Sequence, residues 1–304
     1  MTPTPPPSLT SPSHRNRDAR RLAVAIGVAA LLWFYMFSPW TSGLTNFWLT
    51  MAGSAVILTT LALLSSRPNE ARSSASLEMT GQNPPMIFQN GVLFNGDDDS
   101  VQNNTVNTAD GSNMATDVAE NRHFQIFHYS GNIWKCLFSR SSVFQLFGGV
   151  ALAFALWGIF WVGDKASAWL FDFARPEVDA VYAMKQGLPA WLIAVLLLVL
   201  IGPAEELFWR GYVQRTFGRL FASRTPAPAA QTAAESRART AAFVVTTAIY
   251  ALVHIWSFNF MLVMAALVAG AVWGLIYRLC PRSLPALVIS HALWDALVFV
   301  CLPI

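Results

Sequence analysis

Charge is scarce in this chain of 304 residues, of which only 12% are Asp, Glu, Lys or Arg. A soluble domain carries about a quarter charged residues, so the usual surface hydration is missing. The 20 basic and 17 acidic residues leave a net charge of +3 with no clustered basic face, which argues against a nucleic-acid partner. The three cysteines are odd in number and widely spaced, so they form neither a disulfide framework nor a thiolate metal site.

Long uncharged runs hold most of the apolar residues, which make up 54% of the sequence. Backbone polar groups must be satisfied internally within lipid, so such runs are expected to be helices. The sequence therefore predicts an all-α, polytopic transmembrane helical bundle with about seven spans. The predicted spans are 22–37, 44–64, 142–162, 189–207 (continuing as a helix to about residue 221), 241–256, 260–276 and 284–302.

The basic residues that flank the spans predict an orientation in a cell membrane. They cluster before the first span, after the fourth and between the sixth and seventh, which all fall on one side of a seven-span protein. This places the N-terminus in the cytoplasm and the C-terminus outside. The first run is interpreted as an uncleaved anchor and not a signal peptide, because it is long and a second span follows at once.

Composition divides the chain into five parts. A polar cytoplasmic tail is followed by two transmembrane helices, then by a polar and partly disordered insertion that topology places in the cytoplasm. In that insertion, Asn90-Gly91 between two short apolar runs predicts a β-hairpin, and 121–140 has the mixed pattern of an interfacial helix. A transmembrane helix with an external loop and a C-terminal block of spans complete the chain. The corresponding ranges are 1–21, 22–66, 67–141, 142–188 and 189–304.

Six ionisable side chains remain within or at the edge of the predicted spans. A charged side chain at a helix centre costs about 2.5–3.5 kcal/mol on insertion scales, so such residues need a reason. They are Glu205, Glu206, Arg210, His254, His291 and Asp295.

The spacing of these residues predicts one shared cavity. Glu206 and Arg210 are one helical turn apart in the order that favours an ion pair, and Glu205 is rotated by about 100° from that pair. His254 lies four residues after Tyr250, and Asp295 lies four residues after His291. Three helices thus each present a polar stripe. The structural alternative for each stripe is a hydrogen-bonded packing or helix-pairing role.

A cavity of this composition has the groups that peptide hydrolysis needs. A buried carboxylate is an effective general base, so Glu205, linked through a water to His254, would activate that water. His291 would offer an N–H to the tetrahedral intermediate, and Asp295 would fix the tautomer of His291. Arg210 would keep Glu206 ionised and apart from Glu205. No Gly-x-Ser-x-Gly motif competes with this arrangement.

Three motifs in this order resemble the CAAX protease and bacteriocin-processing (CPBP, or ABI) family. Glu205-Glu206 followed by Arg210 resembles the family's EExxxR motif. The aromatic Tyr250 with His254 resembles its second motif, and His291 with Asp295 resembles its third, His-x-x-x-Asn/Asp. The matching separations cover roughly the last third of the chain, within 189–304.

The resemblance implies a glutamic-type intramembrane endopeptidase that needs no cofactor and acts on a peptide or membrane-protein substrate. By the same resemblance, Glu205 and His254 activate water, and His291 with residue 295 lies on the oxyanion side of a catalytic cavity among the C-terminal helices. Glu206 and Arg210 are then supporting residues. The third motif often ends in Asn, and an ionised Asp295 cannot donate a hydrogen bond, so Asp295 is expected to orient His291. Tyr250 replaces a common Phe and is expected to have no part in the chemistry.

Three alternatives stay open from the sequence. Glu205, His254 and His291 form a possible His₂Glu zinc set, although no HExxH motif is present. The protein could instead be a non-catalytic immunity or scaffold protein, or a proton-coupled transporter. The shared cavity also requires the start of the fifth span to project into the cytoplasm, because at about 1.5 Å per residue His254 lies about 20 Å into a span that begins at Ala241 and His291 only about 10 Å into the seventh span.

Overall fold

The computed structural model describes residues 12–66, 87–89, 92–94, 142–222 and 228–304. Within the described part, every secondary-structure element is a helix except for two three-residue strands. Its elements are α1 (Pro12–Phe37), α2 (Phe47–Ser66), β1 (Ile87–Gln89), β2 (Val92–Phe94), α3 (Ser142–Leu170), α4 (Ala174–Ala183), α5 (Ala190–Phe221), α6 (Pro228–Leu252, continued by a 3₁₀ turn over Val253–Ser257), α7 (Phe260–Leu279) and α8 (Leu284–Ala296, continued by a π turn over Leu297–Cys301).

Among the described residues, seven helices are long and apolar enough to cross a membrane, which confirms the predicted all-α, seven-span architecture. The spans are Arg15–Phe37, Phe47–Ser65, Val143–Leu170, Ala190–Phe221, Thr232–Ser257, Phe260–Leu279 and Pro281–Cys301. The largest difference from the predicted boundaries is in the fifth span, which begins at Thr232 and not at Ala241.

The insertion contains the predicted β-hairpin. Strands β1 and β2 are antiparallel, with Ile87 opposite Phe94 and Gln89 opposite Val92. The two residues between the strands, Asn90 and Gly91, lie outside the described residues. The rest of the insertion, including the predicted interfacial helix at 121–140, lies outside the described residues.

The segment that joins α3 to α5, predicted as an external loop, contains the helix α4. This helix is fixed to the start of α7: Glu177 accepts a hydrogen bond from the backbone N–H of Met261 at 2.8 Å, and the carbonyl of Glu177 accepts one from the Asn259 side chain at 2.7 Å. At the end of α3, Asp164 pairs with Arg175 at 2.6 Å. The segment is therefore an ordered cap on this end of the bundle.

Small residues let α8 pack closely against both α3 and α5. A Cβ atom built at Gly149 of α3 would lie 2.7 Å from the carbonyl oxygen of Ala286. A Cβ atom built at Gly202 of α5 would lie 2.6 Å from the Cα atom of Ala292. Such close contacts between backbones are common at helix interfaces in membranes. They bring the polar stripes of α5 and α8 together.

Replacement of Gly202 by alanine is expected to destabilise the bundle by about 1–3 kcal/mol, the usual cost of overpacking. The added methyl group would meet the backbone of α8, which cannot move aside as a flexible side chain does. Thermal unfolding of the purified protein in detergent measures the loss. Gly158→Ala is the matched control, because a Cβ atom at Gly158 has nothing within 4 Å. Equal stability of the two variants would contradict the expectation.

Candidate active site

A cavity of about 400 Å³ lies within the bundle, and its walls are mostly apolar and aromatic. The residues of all three sequence motifs contribute to its lining. These polar lining residues are Glu205, Tyr250, His254, His291 and Asp295. The shared cavity that the helical spacing predicted is therefore present, and Glu206 and Arg210 are buried beside it.

Two π-helical segments in α5 flank the adjacent glutamates. The first covers Leu197–Ile201 and the second covers Leu207–Gln214. Pro203 has no N–H, so the regular ladder is interrupted, and the N–H of Gly202 bonds to the carbonyl of Leu197, five residues back. π-Helical turns are rare in proteins, and those that occur are often found at functional sites. Each π-helical segment changes the direction in which the following side chains of α5 point, before and after Glu205 and Glu206.

Glu205 is 5% exposed and accepts a hydrogen bond at Oε2 from the Tyr250 hydroxyl at 3.0 Å. Tyr250 was expected to have no part in the chemistry, yet its hydroxyl contacts the carboxylate that was predicted to be the base. The spacing of Tyr250 to His254 identified the position. It did not reveal the hydroxyl's partner, because Glu205 lies on another helix.

Glu206 is the centre of a buried polar network. Its Oε1 accepts a hydrogen bond from Arg210 Nη1 at 2.6 Å, which confirms the predicted intrahelical ion pair. The same oxygen contacts Nδ1 of His291 at 2.8 Å. Arg210 also donates through Nη2 to the carbonyl oxygen of Gly270 in α7 at 3.3 Å. The network therefore ties α5 to both α7 and α8.

The ring of His291 has a carboxylate on each side. Glu206 contacts Nδ1, whereas Asp295, which was expected to orient the ring, has its Oδ2 3.5 Å from Nε2. The contact of Glu206 with His291 was not predictable from the sequence, because it depends on how α5 and α8 are rotated relative to each other. A carboxylate paired with Arg210 can only accept, so Nδ1 must carry a hydrogen. The ring is further held by stacking on Trp273, with centroids 3.9 Å apart.

Both ring nitrogens of His254 have protein partners. Nδ1 lies 2.8 Å from the carbonyl oxygen of Tyr250, and Nε2 accepts a hydrogen bond from the indole Nε1 of Trp33 at 3.0 Å. Because a carbonyl only accepts, the hydrogen of the neutral imidazole is on Nδ1. Trp33 belongs to α1, and no motif or spacing in the sequence pointed to it.

The His₂Glu zinc set considered from the sequence is not assembled as a ligand set. Within the described ranges, no group of three or more His, Cys, Asp or Glu side chains is placed to hold a metal ion. One lone pair that a zinc ion would need, on Nε2 of His254, is directed at the N–H of Trp33.

Comparison with known proteins agrees with the motif pattern. Residues 187–297 match the family model described as Rce1-like, type II CAAX prenyl endopeptidase Rce1-like. No curated protein and no solved structure matches the chain significantly. The matched residues contain all three motifs and every side chain of the polar network on α5 and α8. Residues 187–297 of this multi-pass membrane protein are therefore similar to the CPBP family of CAAX-type endopeptidases.

Proposed function

We propose that the protein is a glutamic-type intramembrane endopeptidase that hydrolyses a peptide bond of a membrane-associated protein or peptide. One observation carries the proposal: Glu205, His254, His291 and Asp295 come from three helices and line the same cavity. The family match over residues 187–297 supports a protease of the CAAX type in general. The apolar walls suit a substrate segment that enters from the bilayer.

Glu205 is proposed as the general base. Its Oε2 is held by Tyr250, and among the described residues no hydrogen bond reaches Oε1. Oε1 is thus available to accept a proton from a water molecule in the cavity while the water oxygen attacks the carbonyl carbon of the substrate. Glu205 then passes this proton to the leaving nitrogen as the C–N bond breaks.

His291 is proposed to stabilise the oxyanion of the tetrahedral intermediate. With Nδ1 donating to Glu206, the ring can donate through Nε2 only as an imidazolium. Carboxylates on two sides, Glu206 at Nδ1 and Asp295 near Nε2, favour that charged form. A fixed donor of this kind, in a site shielded from water, is worth more than the same donor in solution. Asp295 would act by holding the charge on His291.

His254 is proposed to lie beside the same water as a neutral imidazole. The sequence hypothesis has Glu205 and His254 act on the water together. Because Nε2 of His254 accepts a hydrogen bond from Trp33, the proposal sends the proton to Glu205. His254 then forms part of the wall beside the water and adds no charge that would neutralise the base.

The proposed topology has the N-terminus in the cytoplasm and the C-terminus outside, as the basic flanks indicate. The cavity lining includes Phe37 at the end of α1, Ser167 at the end of α3 and Phe260 at the start of α7. In this topology these residues all lie at the outer ends of their spans. The substrate would therefore be cut in the outer half of the membrane.

A comparison of protein N-termini in membrane fractions tests the proposed function. Cells that produce the protein are expected to contain a membrane-associated protein or peptide with a new N-terminus that is missing from cells that lack it. The purified enzyme in liposomes should produce the same cut. A phenotype that depends on the protein but is accompanied by no new N-terminus would favour the immunity or scaffold alternative.

Treatment with tight metal chelators is expected to leave the cleavage rate unchanged. The proposed steps use Glu205 and His291 of the chain itself and require no bound ion. The rate in liposomes is measured after incubation with 1,10-phenanthroline and compared with its non-chelating isomer 1,7-phenanthroline. Loss of activity in the first compound alone, with recovery on addition of zinc, would support the zinc alternative.

A further inference from the structure

The hydrogen bond between Trp33 and His254 joins the first helix to the proposed site. Trp33 is 2% exposed, lies outside the family-matched region of residues 187–297 and is not among the residues that line the cavity. Its indole N–H donates to Nε2 of His254 at 3.0 Å. Trp33 therefore contacts His254 without lining the cavity itself.

The two contacts of His254 use its full hydrogen-bonding capacity. With Nδ1–H directed at the Tyr250 carbonyl, the single lone pair of the neutral ring is on Nε2, and the indole N–H occupies it. A proton cannot be added at Nε2 while this bond is present. The partners of the two ring nitrogens determine the tautomer of a histidine, and here both partners favour the tautomer with the hydrogen on Nδ1.

Aromatic packing holds the same ring in place. Trp33 meets the imidazole edge to face with centroids 5.8 Å apart, and Phe37 of the same helix lies 5.6 Å away. Trp33 also packs against Trp209 of α5 with centroids 6.2 Å apart. Removal of the N–H alone would leave this cluster filled, so the hydrogen bond can be tested separately from the packing.

We propose that Trp33 is a positioning residue for the peptidase reaction. Its N–H keeps His254 neutral, with the Nε2 lone pair directed at α1. Without the N–H, Nε2 would be free to take a proton, which would place a positive charge at the cavity that Glu205 also lines. A cation there would stabilise the carboxylate of Glu205 and weaken it as a base. The first helix is thus part of the active enzyme, and the inference rests on the proposed function.

Replacement of Trp33 by phenylalanine in the full chain tests the proposal. We expect kcat to fall by about tenfold or more, the scale of losing a partner that orients a histidine ring. KM should stay within about twofold, because Trp33 does not line the cavity. A benzothienyl-alanine at position 33, incorporated by stop-codon suppression, keeps the shape of tryptophan without the N–H and should cause the same loss.

Trp209→Phe is the matched control. Trp209 belongs to the same buried cluster, and its Nε1 has no hydrogen-bond partner among the residues that the structure describes, so the same exchange removes none of the described bonds. Its kcat should equal that of the wild type. Normal kcat in both position-33 variants, or an increase, would overturn the proposal; an increase would mean that the indole restrains the enzyme.

The ¹⁵N chemical shifts of His254 provide a readout that does not depend on activity. The wild type should show a protonated Nδ1 and an unprotonated, hydrogen-bonded Nε2. The Trp33→Phe variant should lose the shift that marks the bonded Nε2. Identical shifts in both proteins would reject the role of Trp33. If the shifts differ between the two proteins but the wild type cleaves no substrate, the proposed peptidase function is rejected and the Trp33 contact stands.

Discussion

Replacement of Glu205 by glutamine is expected to lower kcat for peptide cleavage by about 10³-fold, within the range that general base catalysis contributes. Glutamine keeps the size of the side chain, and its amide oxygen can still accept the hydrogen bond from Tyr250. An amide has no basicity at neutral pH, so the water loses its proton acceptor. KM should change little, because the apolar walls of the cavity are untouched.

The measurement is the rate at which the purified variant cleaves the natural substrate in liposomes. Glu177→Gln is a suitable control, because Glu177 lies on α4 and accepts a hydrogen bond from the Met261 N–H that a glutamine can also accept. This control should retain the wild-type rate. A Glu205→Gln protein that still cleaves its substrate, or that still supports the cellular phenotype, would reject Glu205 as the base.

The contacts that were predictable from the sequence are those within one helix. The ion pair of Glu206 with Arg210 and the approach of Asp295 to His291 both follow from the geometry of residues four apart. The contacts of Glu206 with His291 and of Trp33 with His254 join different helices. Their existence depends on the rotation and register of each helix, which arise from side-chain packing over the whole bundle.

In the fold too, some features were predictable from the sequence and others were not. Hydropathy located seven spans because lipid exposure imposes an apolar composition on each of them. It placed the start of the fifth span too late, because the first turns of α6 contain Glu235, Arg237 and Arg239 among alanines. Alanine favours a helix whether or not the segment is apolar, so the helix continues beyond the hydrophobic run. The helix α4 was likewise not predicted, because its charged residues interrupt the apolar pattern on which the prediction of spans relied.

Replacement of Arg210 by methionine is expected to destabilise the protein by about 3–5 kcal/mol, as the loss of one partner from a buried ion pair does. Arg210 and Glu206 are 1% and 0% exposed, so water cannot replace the lost cation. Methionine fills a similar volume, which separates the effect of charge from that of a cavity. Thermal or chemical unfolding in detergent measures the change. Arg219→Met, at an exposed position of α5, should stay within about 0.5 kcal/mol of the wild type.

The double variant Glu206→Gln with Arg210→Met identifies the cause of the destabilisation. It removes both charges, so it should be more stable than Arg210→Met alone if the unpaired carboxylate is responsible. It should nevertheless cleave slowly, because an uncharged Glu206→Gln side chain no longer favours the imidazolium form of His291 across their 2.8 Å contact. A double variant as unstable as the single one would mean that Arg210 stabilises the bundle through its hydrogen bond to Gly270 and through packing, and not through Glu206. A stable double variant with full activity would show that the charge of Glu206 has no part in the reaction.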